Sequence, residues 1–73
     1  MISLETDSKY YNISIIRDLF NDLLVVCDYG SKLTRFAHRK NIHVASMQEA
    51  DNIIYKTLVT REKHGYTVVP QSL

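Results

Sequence analysis

Cysteine is almost missing from this chain. Cys27 stands alone, so no disulfide can close within the molecule, and its place after the apolar run Leu23-Leu24-Val25-Val26 marks a buried, unreactive thiol suited to a reducing compartment. Charge of one sign is missing too. Nine Lys and Arg stand against eight Asp and Glu, for a formal net charge of +1. That excludes the global basicity of most phosphate-binding proteins and leaves only a local binding face. No apolar run approaches the length of a membrane span, and the acidic start Met1 to Asp7 lacks the basic and apolar regions of a signal peptide, so the expected location is the cytoplasm, away from membranes. Glycine and proline are scarce, two and one, beside 45% apolar and 23% charged residues. This composition excludes wholesale disorder, and the 73 residues form a single domain near the lower size limit for independent folding.

Chemistry-bearing motifs are equally sparse. There is no Gly-rich phosphate loop and no nucleophile elbow around Ser31, and His38, His43 and His64 lack the Cys or His partners of a zinc site. Asp18, Asp22 and Asp28 lie in or beside turns, where carboxylates bond their own backbone. The expectation is a protein without catalytic residues, metal or cofactor.

What is present is punctuation. Residues 1–8 carry isolated Ile2 and Leu4, too sparse for a strand or helix face, and are expected to form a flexible arm. From Tyr10 to Arg17, Tyr11, Ile13 and Ile15 alternate with Asn12 and Ser14, the period of a strand with one buried face. Asn21-Asp22 then predicts a hairpin into Leu23–Tyr29, a strand apolar on both faces. Gly30-Ser31 is read as a break permitting a positive dihedral and a tight turn. Thr34–Val44 reads as a long strand with a polar outer face and a bulge near Arg39-Lys40-Asn41, because neither parity stays apolar.

Ser46 followed three residues later by Glu49 is a capping box, so a helix starts at about Met47. Met47, Ala50, Ile53, Ile54 and Leu58 form its apolar stripe. Arg61, Lys63 and His64 suit the negative end of the helix dipole, and Gly65 supplies a left-handed stop. Tyr66–Val69, ended by Pro70, predicts an edge strand. The sum is an α+β domain in the order β-β-β-α-β, an antiparallel three- to four-stranded sheet with one helix packed on one face.

The order Tyr10 to Tyr66 resembles the WGR domain, a small module of DNA-dependent poly(ADP-ribose) polymerases and many bacterial proteins. Ser46, Glu49 and Ala50 match the family's helix opening, and Lys63, Gly65 and Tyr66 its ending. Tyr29-Gly30-Ser31 stands where the family has Trp-Gly-Arg. The resemblance implies a module at DNA breaks whose motif aromatic contacts the DNA end, a role carried by position to Tyr29. The motif arginine has no counterpart in Ser31, and Lys32 offers a point charge one position later without the planar fork.

Independently of the family, Lys32 to His43 holds Lys32, Arg35, Arg39 and Lys40 with His38 and His43 and no acid, a local footprint for phosphates. Arg35, Arg39 and His43 share a parity and form one stripe on an extended strand. Charge on such a strand also serves to discourage edge pairing. Of five tyrosines, Tyr11 and Tyr66 are expected to line the core and Tyr29 to be exposed for contact. Tyr29, Lys32, Arg35, Arg39 and His43 are therefore the candidate nucleic-acid-binding residues, with DNA as the expected partner. The alternative is a module that docks a protein or self-associates through the same sheet edge and hairpin tip.

Overall fold

The computed structural model describes residues 1–70. Strand β1 spans Ile2–Glu5, β2 Lys9–Arg17, β3 Leu23–Ser31 and β4 Ala37–Val44; helix α1 spans Met47–Lys63, and β5 is the short pair Thr67–Val68. The strands form one antiparallel sheet in the order β4-β3-β2-β1-β5 with α1 packed on one face. The expected α+β architecture is present, with five strands in place of three or four.

The extra strand is β1, which corrects the reading of residues 1–8 as a flexible arm. Ile2–Glu5 pairs with β2 on one side, and Leu4 and Glu5 pair with β5 on the other. Leu4 is 0% exposed. A four-residue strand needs only one deep anchor when backbone hydrogen bonds hold it from both sides, and that ladder leaves no period in the sequence. The predicted edge strand after α1 is β5, and the Val69 amide prolongs it by donating to the Ser3 carbonyl at 2.8 Å.

The hairpin between β2 and β3 follows from its turn chemistry. Asp18 Oδ1 accepts the amides of Phe20 and Asp22, each at 2.9 Å, and Asn21 takes the left-handed conformation at φ 65°, which its short polar side chain tolerates. From there the register runs unbroken from Arg17↔Leu23 to Lys9↔Ser31.

Strand β4 differs from expectation in start and shape. It begins at Ala37, not Thr34. Ser31 Oγ accepts the amides of Leu33 and Thr34 at 3.1 and 3.2 Å, and Thr34 Oγ1 accepts that of Phe36 at 3.2 Å, which folds residues 32–36 into a turn. Pairing from Gly30↔Ala37 to Leu23↔Val44 is continuous, so there is no bulge near Arg39-Lys40-Asn41. The mixed polarity has another cause: β4 is an edge strand. Only Ile42 and Val44, at its far end, pack against the core, while His38 and Lys40 on the same parity stay exposed.

Helix α1 carries the expected signals. Ser46 Oγ accepts the Glu49 amide at 3.2 Å, although the Glu49 carboxylate reaches the Ala45 amide, at 3.3 Å, and not that of Ser46. At the other end the Gly65 amide donates to the Glu62 carbonyl and the Tyr66 amide to that of Arg61, both at 3.1 Å, around Gly65 at φ 89°. This is a Schellman stop. Ala50 meets Leu4, Ile13, Val25 and Cys27 in the core, flanked by Ile53, Ile54 and Leu58. Met47, expected in the stripe, is 49% exposed; it lies in the first turn. On the other face Leu24 and Val26 are buried without a covering helix, flanked by their cross-strand neighbours Ile16 and His43, Ser14 and Asn41.

Candidate nucleic-acid interface

Tyr29-Gly30-Ser31 ends β3 at the edge of the molecule where β4 begins. Gly30 is buried and within the strand, and its φ is not positive. A Cβ there would collide with the Phe36 carbonyl oxygen and stand 2.8 Å from the Tyr10 hydroxyl. Close approach of backbone, not a tight-turn dihedral, is what calls for glycine. Ser31 organises the following loop: its amide donates to the Phe36 carbonyl at 3.0 Å while its hydroxyl holds Leu33 and Thr34.

The aromatic residues of this end form a cross-strand stack. The Tyr29 ring lies 5.3 Å from that of Tyr11, at 11°, and 5.7 Å from the His38 ring, at 20°. Because β3 lies between β2 and β4, these neighbours cover the two faces of Tyr29. The ring expected to be open for contact is half-buried, with its flat surfaces occupied. Phe36 closes the stack, tilted at 60° and 4.6 Å from His38. Tyr11 and Tyr66 border the core as expected and meet edge-on at 6.3 Å. The Arg61 guanidinium lies over both, 5.2 Å from the Tyr11 centroid and 5.6 Å from that of Tyr66. Burial, and then a hydrogen bond with the Cys27 thiol, push the Tyr11 hydroxyl up to about 12.

The basic segment is acid-free only in sequence. Lys32 Nζ is 2.9 Å from Glu5 Oε2. Arg39 Nε donates to Asp28 Oδ1 at 2.7 Å, and its Nη2 to Oδ2 at 3.4 Å, a contact that stabilises the charged guanidinium. Sheet register brings these acids in, since Asp28 is the direct neighbour of Arg39 and Glu5 belongs to β1. Tyr29, Lys32 and Arg35 gather at the tip, whereas Arg39 and His43 point to the face opposite α1. Arg35 is a loop residue and does not continue their stripe.

Two residues that the sequence reading left out complete this end. A concavity of about 230 Å³ opens between the end of β3 and the end of α1, lined by Lys9, the Tyr29-Gly30-Ser31 segment, Phe36, Arg61 and Tyr66, with no acid in its wall. Lys9 is brought there by its register with Ser31. Arg61, expected only to suit the helix dipole, is carried there by the last turn of α1, and the stop at Gly65 turns Tyr66 back beside it. Neither takes part in an ion pair among the described residues. Among those residues no cluster of His, Cys, Asp or Glu is arranged to hold a metal, and no helix is long and apolar enough to cross a membrane.

Comparison with protein-family models, curated proteins and solved structures matches nothing to this chain.

Proposed function

We propose that the chain is a non-enzymatic, cytoplasmic WGR-like module that contacts nucleic acid, in the first instance DNA, at the tip between β3 and β4. The order of elements supports the family reading: an aromatic on β2, a motif-like Tyr-Gly-Ser ending β3, a basic β4, and a helix opened at Ser46 and stopped at Gly65. The observation that carries the binding reading is the convergence of that motif, the 32–36 loop and the end of α1 around an acid-free wall with Lys9 and Arg61. Arg35 joins them from the loop, exposed and outside both ion pairs. Lys32 is a phosphate contact once it exchanges Glu5 for phosphate, and Arg39 and His43 extend the footprint across the open face. Exposed ion pairs of this kind are worth only about 0–1 kcal/mol, so exchange costs little.

The test is a titration of nicked, blunt-ended and single-stranded DNA at two salt concentrations, with the wild type and with Arg35→Ala/Arg39→Ala. Salt-sensitive binding that weakens in the variant is expected, because each phosphate contact releases counterions. Absence of binding to every DNA at low salt sinks the reading.

A second reading has its own observation. Leu19 and Phe20 are 100% and 86% exposed on the turn that Asp18 braces, an apolar knob of the kind that marks protein contacts. Together with the neutralisation of Lys32 and Arg39, it favours a protein-interaction module, which a change in mass on sedimentation would reveal for self-association.

A further inference from the structure

The resemblance assigns contact with nucleic acid to the motif aromatic, but both faces of Tyr29 are occupied by Tyr11 and His38. A stacking ligand needs a free face. On this wall Phe36 is the exposed ring, at 56%, and its one ring neighbour among the described residues, His38, meets it at a tilt. Phe36 lies one residue after Arg35, on the loop that Ser31 holds in shape.

The polar side of the concavity is equally specific. Arg61 lies over the rings of Tyr11 and Tyr66, and such cation–π contacts hold a guanidinium in a fixed plane without consuming its N–H donors. Those donors have no carboxylate among the described residues, and the ammonium of Lys9 shares the wall. A guanidinium supported on rings, a second cation and no acid recognise an oxyanion, phosphate above others. With about 230 Å³ the space is smaller than a drug-sized pocket, whose lower bound is about 300 Å³, and suits a small ligand.

We propose that this concavity takes one unpaired nucleotide, free or at a strand end, with its base on Phe36 and its phosphate on Lys9 and Arg61. The inference rests on the nucleic-acid reading above and moves the stacking contact from Tyr29 to a loop residue that the family motif does not contain.

Thymidine monophosphate, thymidine and inorganic phosphate are titrated separately into the isotopically labelled protein, following the Phe36 ring and the Arg61 side-chain N–H by NMR. The monophosphate is expected to shift both sets of signals, thymidine the Phe36 ring alone and more weakly, and phosphate the Arg61 N–H alone. In parallel, short oligothymidylates with and without a terminal phosphate are titrated against Phe36→Ala, Phe36→Tyr and Lys9→Gln. Phe36→Ala should weaken single-strand binding about tenfold and Phe36→Tyr should keep it. Lys9→Gln should lower the salt slope by about one contact. Tighter binding of the oligomer than of the monophosphate identifies the strand as the source, and equal binding identifies the free nucleotide. Arg61 packs on two tyrosines, so the exposed Phe36 and Lys9 carry the mutational test. If both of these variants bind single strands as the wild type does while Arg35→Ala/Arg39→Ala loses duplex binding, the concavity is not the nucleotide site and the general reading survives. If no nucleic acid or nucleotide binds, both fall.

Discussion

Two glycines in this chain exist for different reasons, and the difference predicts the size of a mutation. At Gly65 the backbone is left-handed at φ 89° with nothing within 4 Å of an added Cβ, so Gly65→Ala meets only conformational strain, about 1–2 kcal/mol. At Gly30 an added Cβ strikes the Phe36 carbonyl oxygen, a backbone atom fixed by its hydrogen bond from Ser31. Gly30→Ala must therefore shift the β3–β4 connection. It is expected to destabilise by about 2–3 kcal/mol on top of local strain-free backbone geometry, and urea unfolding of the two variants should rank Gly30→Ala as the worse. Equal losses would remove close approach as the reason for Gly30. Sequence alone could mark both positions as punctuation but could not separate dihedral from contact. Tyr11 offers a second prediction at this scale. Its hydroxyl, normally near 10, is pushed up to about 12 in the folded protein, so the neutral phenol is favoured by folding. That stabilisation is complete below about pH 10 and is lost as pH rises towards about 12. Alkaline unfolding of the wild type should thus be steeper through this window than that of Tyr11→Phe, which keeps the ring stack but has no proton to lose. Coincident pH profiles would contradict the assignment.

Elements were legible in proportion to how local their causes are. Helix α1 runs from Met47 to Lys63 as its cap, stripe and glycine stop require, since each signal acts within one or two turns. The β2–β3 hairpin was legible for the same reason: Asp18, Asn21 and Asp22 make the turn among themselves. Strand β1 was not, because it has a single deep anchor, Leu4, and one of the two strands that hold it, β5, lies at the far end of the described residues. Its importance is testable through Leu4, which is 0% exposed. Leu4→Ala is expected to cost about 2–5 kcal/mol of stability in a denaturant titration, whereas a side chain on a flexible arm would cost almost nothing. A near-zero value would return residues 1–8 to the role of an arm and would leave β5 without the partner that makes it a strand.

At the scale of the whole molecule, the sheet changes the meaning of the basic segment. Read along the chain, Lys32 to His43 contains no acid; folded, it has Glu5 beside Lys32 and Asp28 beside Arg39. The candidate site was thus legible in its cations and its Tyr29-Gly30-Ser31 motif. It was illegible in its counter-charges, and in Lys9 and Arg61, which reach it through strand register and the packing of the last turn of α1. Such pairs have a measurable consequence under the nucleic-acid reading. A phosphate that takes Lys32 or Arg39 must displace a carboxylate, so neutralising the carboxylates removes a competitor for each cation. Glu5→Gln, at an exposed site, and Asp28→Asn, at a half-buried one, both keep side-chain shape. Each should tighten DNA binding, and the double variant should steepen the salt dependence by up to about two phosphate contacts. The gain should be greatest at low salt, where screening is weakest. The same variants combined with Lys32→Gln and Arg39→Gln should lose it. If affinity and salt slope stay fixed while the ion pairs are removed, Lys32 and Arg39 are not phosphate contacts. Binding would then have to run through cations outside both ion pairs, Arg35, Lys9 and Arg61 first among them because they stand at the tip and its concavity.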